Sequence, residues 1–147
     1  VLTISIKDDG KGMSEEFLSR VTDPYTTTRT TRKVGMGLPF LKMEAEMAGG
    51  TFDIRSKLGE GTTVTTTFAI DHIDRPPLGD LGETMSILIS NGDEVDYVLH
   101  FVFNETDFVF DTRELKEQLD GVPMDEPEVL LFIKNYIREN TSHGGLL

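Results

Sequence analysis

The chain has 147 residues, no cysteine and a formal net charge of -12. Without cysteine it holds neither disulfides nor thiolate metal sites, which suits a reducing cytoplasm, and no apolar run reaches the ~18 residues of a membrane span. Residues 1–70 carry nine Lys/Arg and nine Asp/Glu, whereas residues 71–147 carry five against seventeen; the second half would repel a nucleic-acid backbone, and its acids serve either solubility or a basic protein partner.

Val1 to Lys7 alternates, with Leu2, Ile4 and Ile6 on one face and Thr3, Ser5 and Lys7 on the other, which predicts a strand with one buried face. The chain starts with Val1, inside this strand, so the natural protein is expected to continue ahead of it. No secretion signal is visible. A turn follows at Asp8–Gly12. Ser14 then has the character of a helix N-cap, with Glu15 and Glu16 in the first turn and Met13 and Leu18 at hydrophobic-staple positions. This helix should end near Val21.

Residues 23–36 show neither helical nor strand periodicity and predict a long loop. A helix begins near Gly37, its buried face marked by Leu38, Leu41, Ala45 and Ala48, and Gly49-Gly50 stops it. Phe52 and Ile54 open a strand. After the turn Leu58–Gly61, Val64, Thr66, Phe68 and Ile70 alternate in its antiparallel partner. Residues 71–83, with Pro76-Pro77 and several acids, read as a linker. Met85–Ile89 and Tyr97–Phe103 read as strands, the latter with Tyr97, Leu99, Phe101 and Phe103 on one face. A turn at Asn104 leads into Asp107–Phe110. Asp111 and Glu114 suit a capping box for a short helix stopped by Gly121. Asp125 and Pro127 open a last helix with Val129, Leu130, Ile133 and Ile137 inward.

Three short motifs carry the chemistry. Asp8-Asp9-Gly10-Lys11-Gly12 follows a strand directly; a carboxylate there accepts a hydrogen bond from an exocyclic amine such as N6 of adenine, and glycine lets backbone approach a flat ring. Taken alone it is equally well a surface turn. Gly35-Met36-Gly37-Leu38 opens a helix, where free N–H groups and the dipole favour phosphate. Ahead of it stand Arg29, Arg32 and Lys33, and no acid occurs from Pro24 to Met43, so this stretch is either a cationic lid or a solvated loop. Gly59-Glu60-Gly61-Thr62 is a hairpin mouth whose hydroxyl can join a water network around Asp8.

The order of these motifs, interleaved with strand, helix, basic loop, helix and hairpin, resembles the Bergerat-fold ATPases, the superfamily of gyrase, a heat-shock chaperone, histidine kinases and MutL-type proteins. Asp8, Gly10 and Gly12 match its Asp-x-Gly-x-Gly box, Gly35 and Gly37 its Gly-x-Gly box, and Thr62 its late threonine. Asp23-Pro24-Tyr25-Thr26-Thr27 looks like the aromatic box of histidine kinases. The match covers most of residues 1–70. Asp9 departs from the asparagine common at that position. The N-box helix, which in the family brings the Mg²⁺-binding Asn, is absent, so the domain is expected to be truncated and this chain inactive by itself. His72, His100 and His143 do not sit in a phosphoacceptor-type helix, and His100 reads as a structural strand residue. The second half is distantly similar to the carboxy-terminal extension of small stand-alone bacterial ATP-binding proteins of this superfamily.

The resemblance implies an α/β fold, an α+β sandwich of a mixed, mainly antiparallel sheet with helices on one face, spanning residues 1–70. A linker over 71–83 and a small acidic α/β unit over 84–147 follow. It also implies a site for ATP and Mg²⁺: Asp8, Gly10, Gly12 and Thr62 on the base side, and Arg29, Arg32, Lys33, Gly35, Gly37 and Leu38 around the phosphates. No residue here is assigned as general base or as metal ligand. The intact protein would be cytoplasmic and would transfer phosphate to a histidine or other protein residue, or hydrolyse ATP. The alternative is a non-catalytic interaction module that nucleotide switches.

Overall fold

A computed structural model describes residues 1–23, 36–92 and 94–147. They form two compact units, Val1–Pro77 and Leu78–Leu147.

The first unit holds β1 (Leu2–Asp8), α1 (Glu15–Leu18), α2 (Gly37–Met47), β2 (Phe52–Lys57) and β3 (Gly61–Phe68). The sheet order is β1-β3-β2, and both pairings are antiparallel. Ser14 caps α1 by accepting the Phe17 N–H at 3.1 Å. The α-helix closes at Leu18, short of Val21, and β3 ends before Ile70. Ala45 and Ala48, both at 0% exposure, form a core with Phe68, against which Leu2, Ile4 and Leu41 pack. Small side chains at this seam let the helix backbone approach the sheet closely. The result is the expected helix layer on an antiparallel sheet. Ile6 departs from expectation: it is 59% exposed, because the helix covers the Leu2 end of β1 and not its Asp8 end.

The second unit holds α3 (Leu81–Ser90), β4 (Val98–Phe103), β5 (Thr106–Asp111), α4 (Thr112–Leu119) and α5 (Pro127–Asn140). Met85–Ile89 is therefore helical, not a strand, and α3 begins inside the stretch read as linker. Its buried residues are Gly82, Met85 and Ile89, a helical spacing that the run Ile87-Leu88-Ile89 conceals. Asp80 caps it, accepting the Glu83 N–H at 3.0 Å. β4 and β5 form an antiparallel hairpin, which buries Phe101, Phe108 and Phe110. Ile133 and Ile137 of α5 are fully buried. His100 lies on the exposed side of β4 with Nε2 2.8 Å from Asp107 Oδ1, a surface pair and not a core contact. Among the described residues, no helix is long and apolar enough to cross a membrane.

Two polar joints hold this unit, and each gives a test. Thr112 is 1% exposed; its hydroxyl accepts the Tyr97 N–H at 2.9 Å and donates to Asp96 Oδ1 at 3.2 Å. Thr112→Val keeps the shape but strands a backbone donor, so a urea melt of the variant should lose about 1–3 kcal/mol.

Asp80 is the second joint. Hydrogen bonding from Arg138 of α5, then the Glu83 N–H, holds its carboxyl below the ordinary carboxylate value; Arg138 Nε lies 2.8 Å away. A carboxyl with a depressed folded pKa contributes stability above its unfolded pKa, about 3.9, and that contribution disappears as pH falls through the folded value. The contribution of Asp80 to this unit's stability should therefore be constant with pH near neutrality and be lost on acidification below about pH 4. Asp80→Ala should flatten part of that drop while costing about 1 kcal/mol at pH 7, mostly from the lost cap, because the half-exposed pair is screened. Thermal melts at pH 3 to 7 check both.

Candidate nucleotide-binding site

The site is built where β1 ends. Asp8 stands opposite Thr62 of β3, and Thr62 stands opposite Ser56 of β2. Residues paired across a ladder share a face, and faces alternate along a strand. Asp8, Thr62 and Ser56 therefore lie on the same face as Leu2, Ile4 and Phe68, the face that α2 covers at its other end. Asp8 and Ile6 are exposed. Together they present an apolar floor bordered by a carboxylate, a surface that suits a flat ring with a donor on its edge.

The carboxylate is oriented. Its Oδ1 accepts the Gly10 N–H at 2.9 Å, the local turn that Asp makes with its own chain. A Cβ added at Gly10 would lie 2.9 Å from that same oxygen, so glycine here leaves the carboxylate in place.

Gly12 also meets a packing requirement of the fold. Its φ is +69°, and a Cβ there would fall 2.0 Å from the Lys57 carbonyl oxygen. The missing side chain makes room for the β2–β3 hairpin. Gly61 is the mirror case: at φ +110° its Cβ would fall 2.0 Å from the Asp8 carbonyl oxygen. The Gly59 N–H donates to Lys11 O at 2.8 Å. The Asp8–Met13 turn and the hairpin are thus locked backbone to backbone.

Ser56 carried no sequence signal, since a polar residue in an alternating strand is ordinary. Its hydroxyl accepts the Met13 N–H at 2.8 Å, donates to Gly61 O at 3.0 Å and lies 2.8 Å from Thr62 Oγ1.

At the expected phosphate-binding box, Gly37 is the first residue of α2. A Cβ there would meet nothing within 4 Å. The N-cap, Met36, makes no side-chain capping bond, and no acidic residue lies in the first turn. The helix start thus keeps its dipole and donors uncompensated by acid. Leu38 is half-buried beside it. The far end of α2 is tied to the Leu2–Phe68 end of the sheet, where Ala69 N–H donates to Ala48 O at 3.1 Å. Gly37 is remote from that junction by about 16 Å of helix, and Asp8 by about 20 Å of strand. Arg29, Arg32, Lys33 and Gly35, with Pro24 to Thr27 of the aromatic box, lie outside the described residues. Among the described residues, no group of three or more His, Asp or Glu is placed to hold a metal ion.

Residues 1–72 match the family of histidine kinase-, DNA gyrase B- and HSP90-like ATPases. The chain is 33% identical over 76 residues to the sensor histidine kinase ZraS of Escherichia coli, covering 52% of this chain and 16% of that one. It is 41% identical over 63 residues to the sensor protein SrrB of Staphylococcus aureus, covering 40% and 11%. It is 32% identical over 80 residues to the non-motile and phage-resistance protein of Caulobacter vibrioides, covering 51% and 10%. The chain thus spans no more than 16% of the length of any of these three relatives.

Proposed function

Residues 1–72 being an ATP-binding, histidine-kinase-like module, we propose that ATP lies on the inner sheet face between Asp8 and the start of α2. The observation that carries this reading is the Asp8 carboxylate: exposed, held by the Gly10 N–H, and bordered by Ile6 and Thr62 on one face. The adenine ring rests on Ile6 and donates from its amine to Asp8. The amides at Gly35, Gly37 and Leu38 and the cations Arg29, Arg32 and Lys33 neutralise the phosphates.

Phosphoryl transfer requires mainly positioning and charge neutralisation. Mg²⁺, when bound, would help neutralise the phosphate charge. Among the described residues, no group of three or more His, Asp or Glu is placed to hold it. The outer stripe of α2 is apolar: Met36, Phe40, Met43 and Met47 recur at helical spacing and are all exposed, a face suited to an apolar partner.

In the intact protein the module transfers the γ-phosphoryl group to a histidine or other protein residue, or to water. The test uses the longest natural chain containing these residues, with γ-labelled ATP and Mg²⁺. Saturable ATP binding with label on protein indicates a kinase, and release as phosphate indicates an ATPase. No saturable binding ends the proposal.

A second reading is a nucleotide-switched interaction module, favoured by the charge of the second unit. Residues 78–147 hold fifteen Asp/Glu and four Lys/Arg. Arg113, Lys116 and Arg138 are engaged by Asp111, Asp96 and Asp80 of the same unit. Its field is thus open to a basic protein partner. Binding without turnover in the same assay supports this reading.

A further inference from the structure

We infer that Ser56 is a positioning residue of the base site, fixing the direction of the Thr62 hydroxyl so that Asp8 and Thr62 both present acceptors to the 6-amino group of the purine. The inference rests on the proposed nucleotide reading and deepens it.

A serine hydroxyl has one proton to give and two lone pairs to receive. At Ser56 all three are used. The Met13 N–H fills one lone pair at 2.8 Å, and the proton goes to Gly61 O at 3.0 Å. The remaining neighbour, Thr62 Oγ1 at 2.8 Å, then has to be the donor. With its proton turned into Ser56, Thr62 offers only lone pairs outward. Thr62 is directly opposite Asp8 on the same face. The two side chains set against the 6-position of the base are therefore both acceptors. An amino group or a water relaying from it finds partners there; the carbonyl of a 6-oxo purine finds none, and an unpaired acceptor in a closed site is costly. The same hydroxyl ties the Asp8–Met13 turn to the hairpin, so the carboxylate and the threonine are set by one group.

The experiment compares ATP and GTP binding to the longest natural chain for Ser56→Ala, Ser56→Thr and a control, Thr67→Val. Thr67 makes a similar hydroxyl clamp at the other end of the hairpin, accepting the Thr51 N–H at 2.9 Å with its oxygen 2.8 Å from Thr51 Oγ1. Its loss reports the purely structural consequence. Ser56→Ala should weaken ATP about tenfold and narrow the preference for ATP over GTP, because the freed Thr62 proton can turn outward. Ser56→Thr, which keeps the hydroxyl and suits a strand, should restore both, and Thr67→Val should change neither. Wild-type affinity and preference in Ser56→Ala, or equal losses for both nucleotides matched by Thr67→Val, would overturn the inference. Failure of the underlying reading has a separate signature: ATP binding indifferent to Asp8→Asn.

Discussion

Gly61→Ala should be among the most destabilising single changes in the first unit. The substitution places a methyl group 2.0 Å from the Asp8 carbonyl oxygen and 2.9 Å from Asp9 Cα, on a backbone at φ +110°. Both obstacles are main chain at the end of the β1–β3 ladder, so neither can swing aside. A left-handed conformation for a side-chain-bearing residue costs on the order of 1–3 kcal/mol, and forcing atoms into a filled space adds a similar amount. A total near 3 kcal/mol is a large share of the roughly 4–11 kcal/mol that a unit of this size holds. The melting temperature of the first unit should fall by about 12–24 °C, as a domain of under a hundred residues loses 4–8 °C per kcal/mol. Gly37→Ala is the counterpart, since a Cβ at that helical position meets nothing within 4 Å. It should leave the melt unchanged or raise it slightly. Calorimetry of the two variants decides whether the motif glycines divide into those the fold needs and those only a ligand needs. A Gly61→Ala protein melting within 2 °C or so of wild type would refute the backbone lock.

That division explains what the sequence could and could not disclose. Strand alternation in Leu2–Asp8 and Gly61–Phe68 is legible because one face is buried and a slip of one residue would expose it. The α2 face is legible because Leu41, Ala45 and Ala48 recur at helical spacing. Met85–Ile89 misleads because the decisive residue of α3 is Gly82, which carries no hydrophobic signal. A Cβ at Gly82 would lie 2.2 Å from Lys134 O; the glycine is there so that α3 and α5 can meet backbone to backbone, and residues 82, 85 and 89 complete a helical face. In the site, Asp8 was visible as a motif, but the reason for Gly12 was not, since the Lys57 carbonyl that fills its space is 45 positions away in the chain. Ser56 was invisible for the same reason: its partners Met13 and Gly61 become neighbours only when the hairpin folds back on the turn. Ile6 reads as buried from the sequence because alternation reports a face and not how far a helix extends along it.

Asp8→Asn is the change that most directly opposes the proposed chemistry. The substitution is nearly isosteric, so the fold should persist. Its effect follows from which oxygen is already engaged. Oδ1 of Asp8 accepts the Gly10 N–H; in the variant the amide oxygen takes that place, because the amide NH₂ cannot accept. The NH₂ group is then turned to the position of Oδ2, a donor facing the donor of adenine. Losing a hydrogen bond to a charged acceptor costs about 1.5–3 kcal/mol, and the mismatch puts this case at the upper end. ATP affinity should fall roughly a hundredfold, at 1.4 kcal/mol per tenfold. The same rotation should help a 6-oxo purine, whose carbonyl can accept from the new NH₂, so the ratio of GTP to ATP affinity should rise. Gly10→Ala supplies an independent check: its Cβ crowds Oδ1 at 2.9 Å, so ATP binding should weaken with little change in the melt. Titration calorimetry of the intact protein and both variants reads all of this. An Asp8→Asn protein that holds ATP within about threefold of wild type would remove the carboxylate from the site, and with it the assignment of the inner sheet face to adenine.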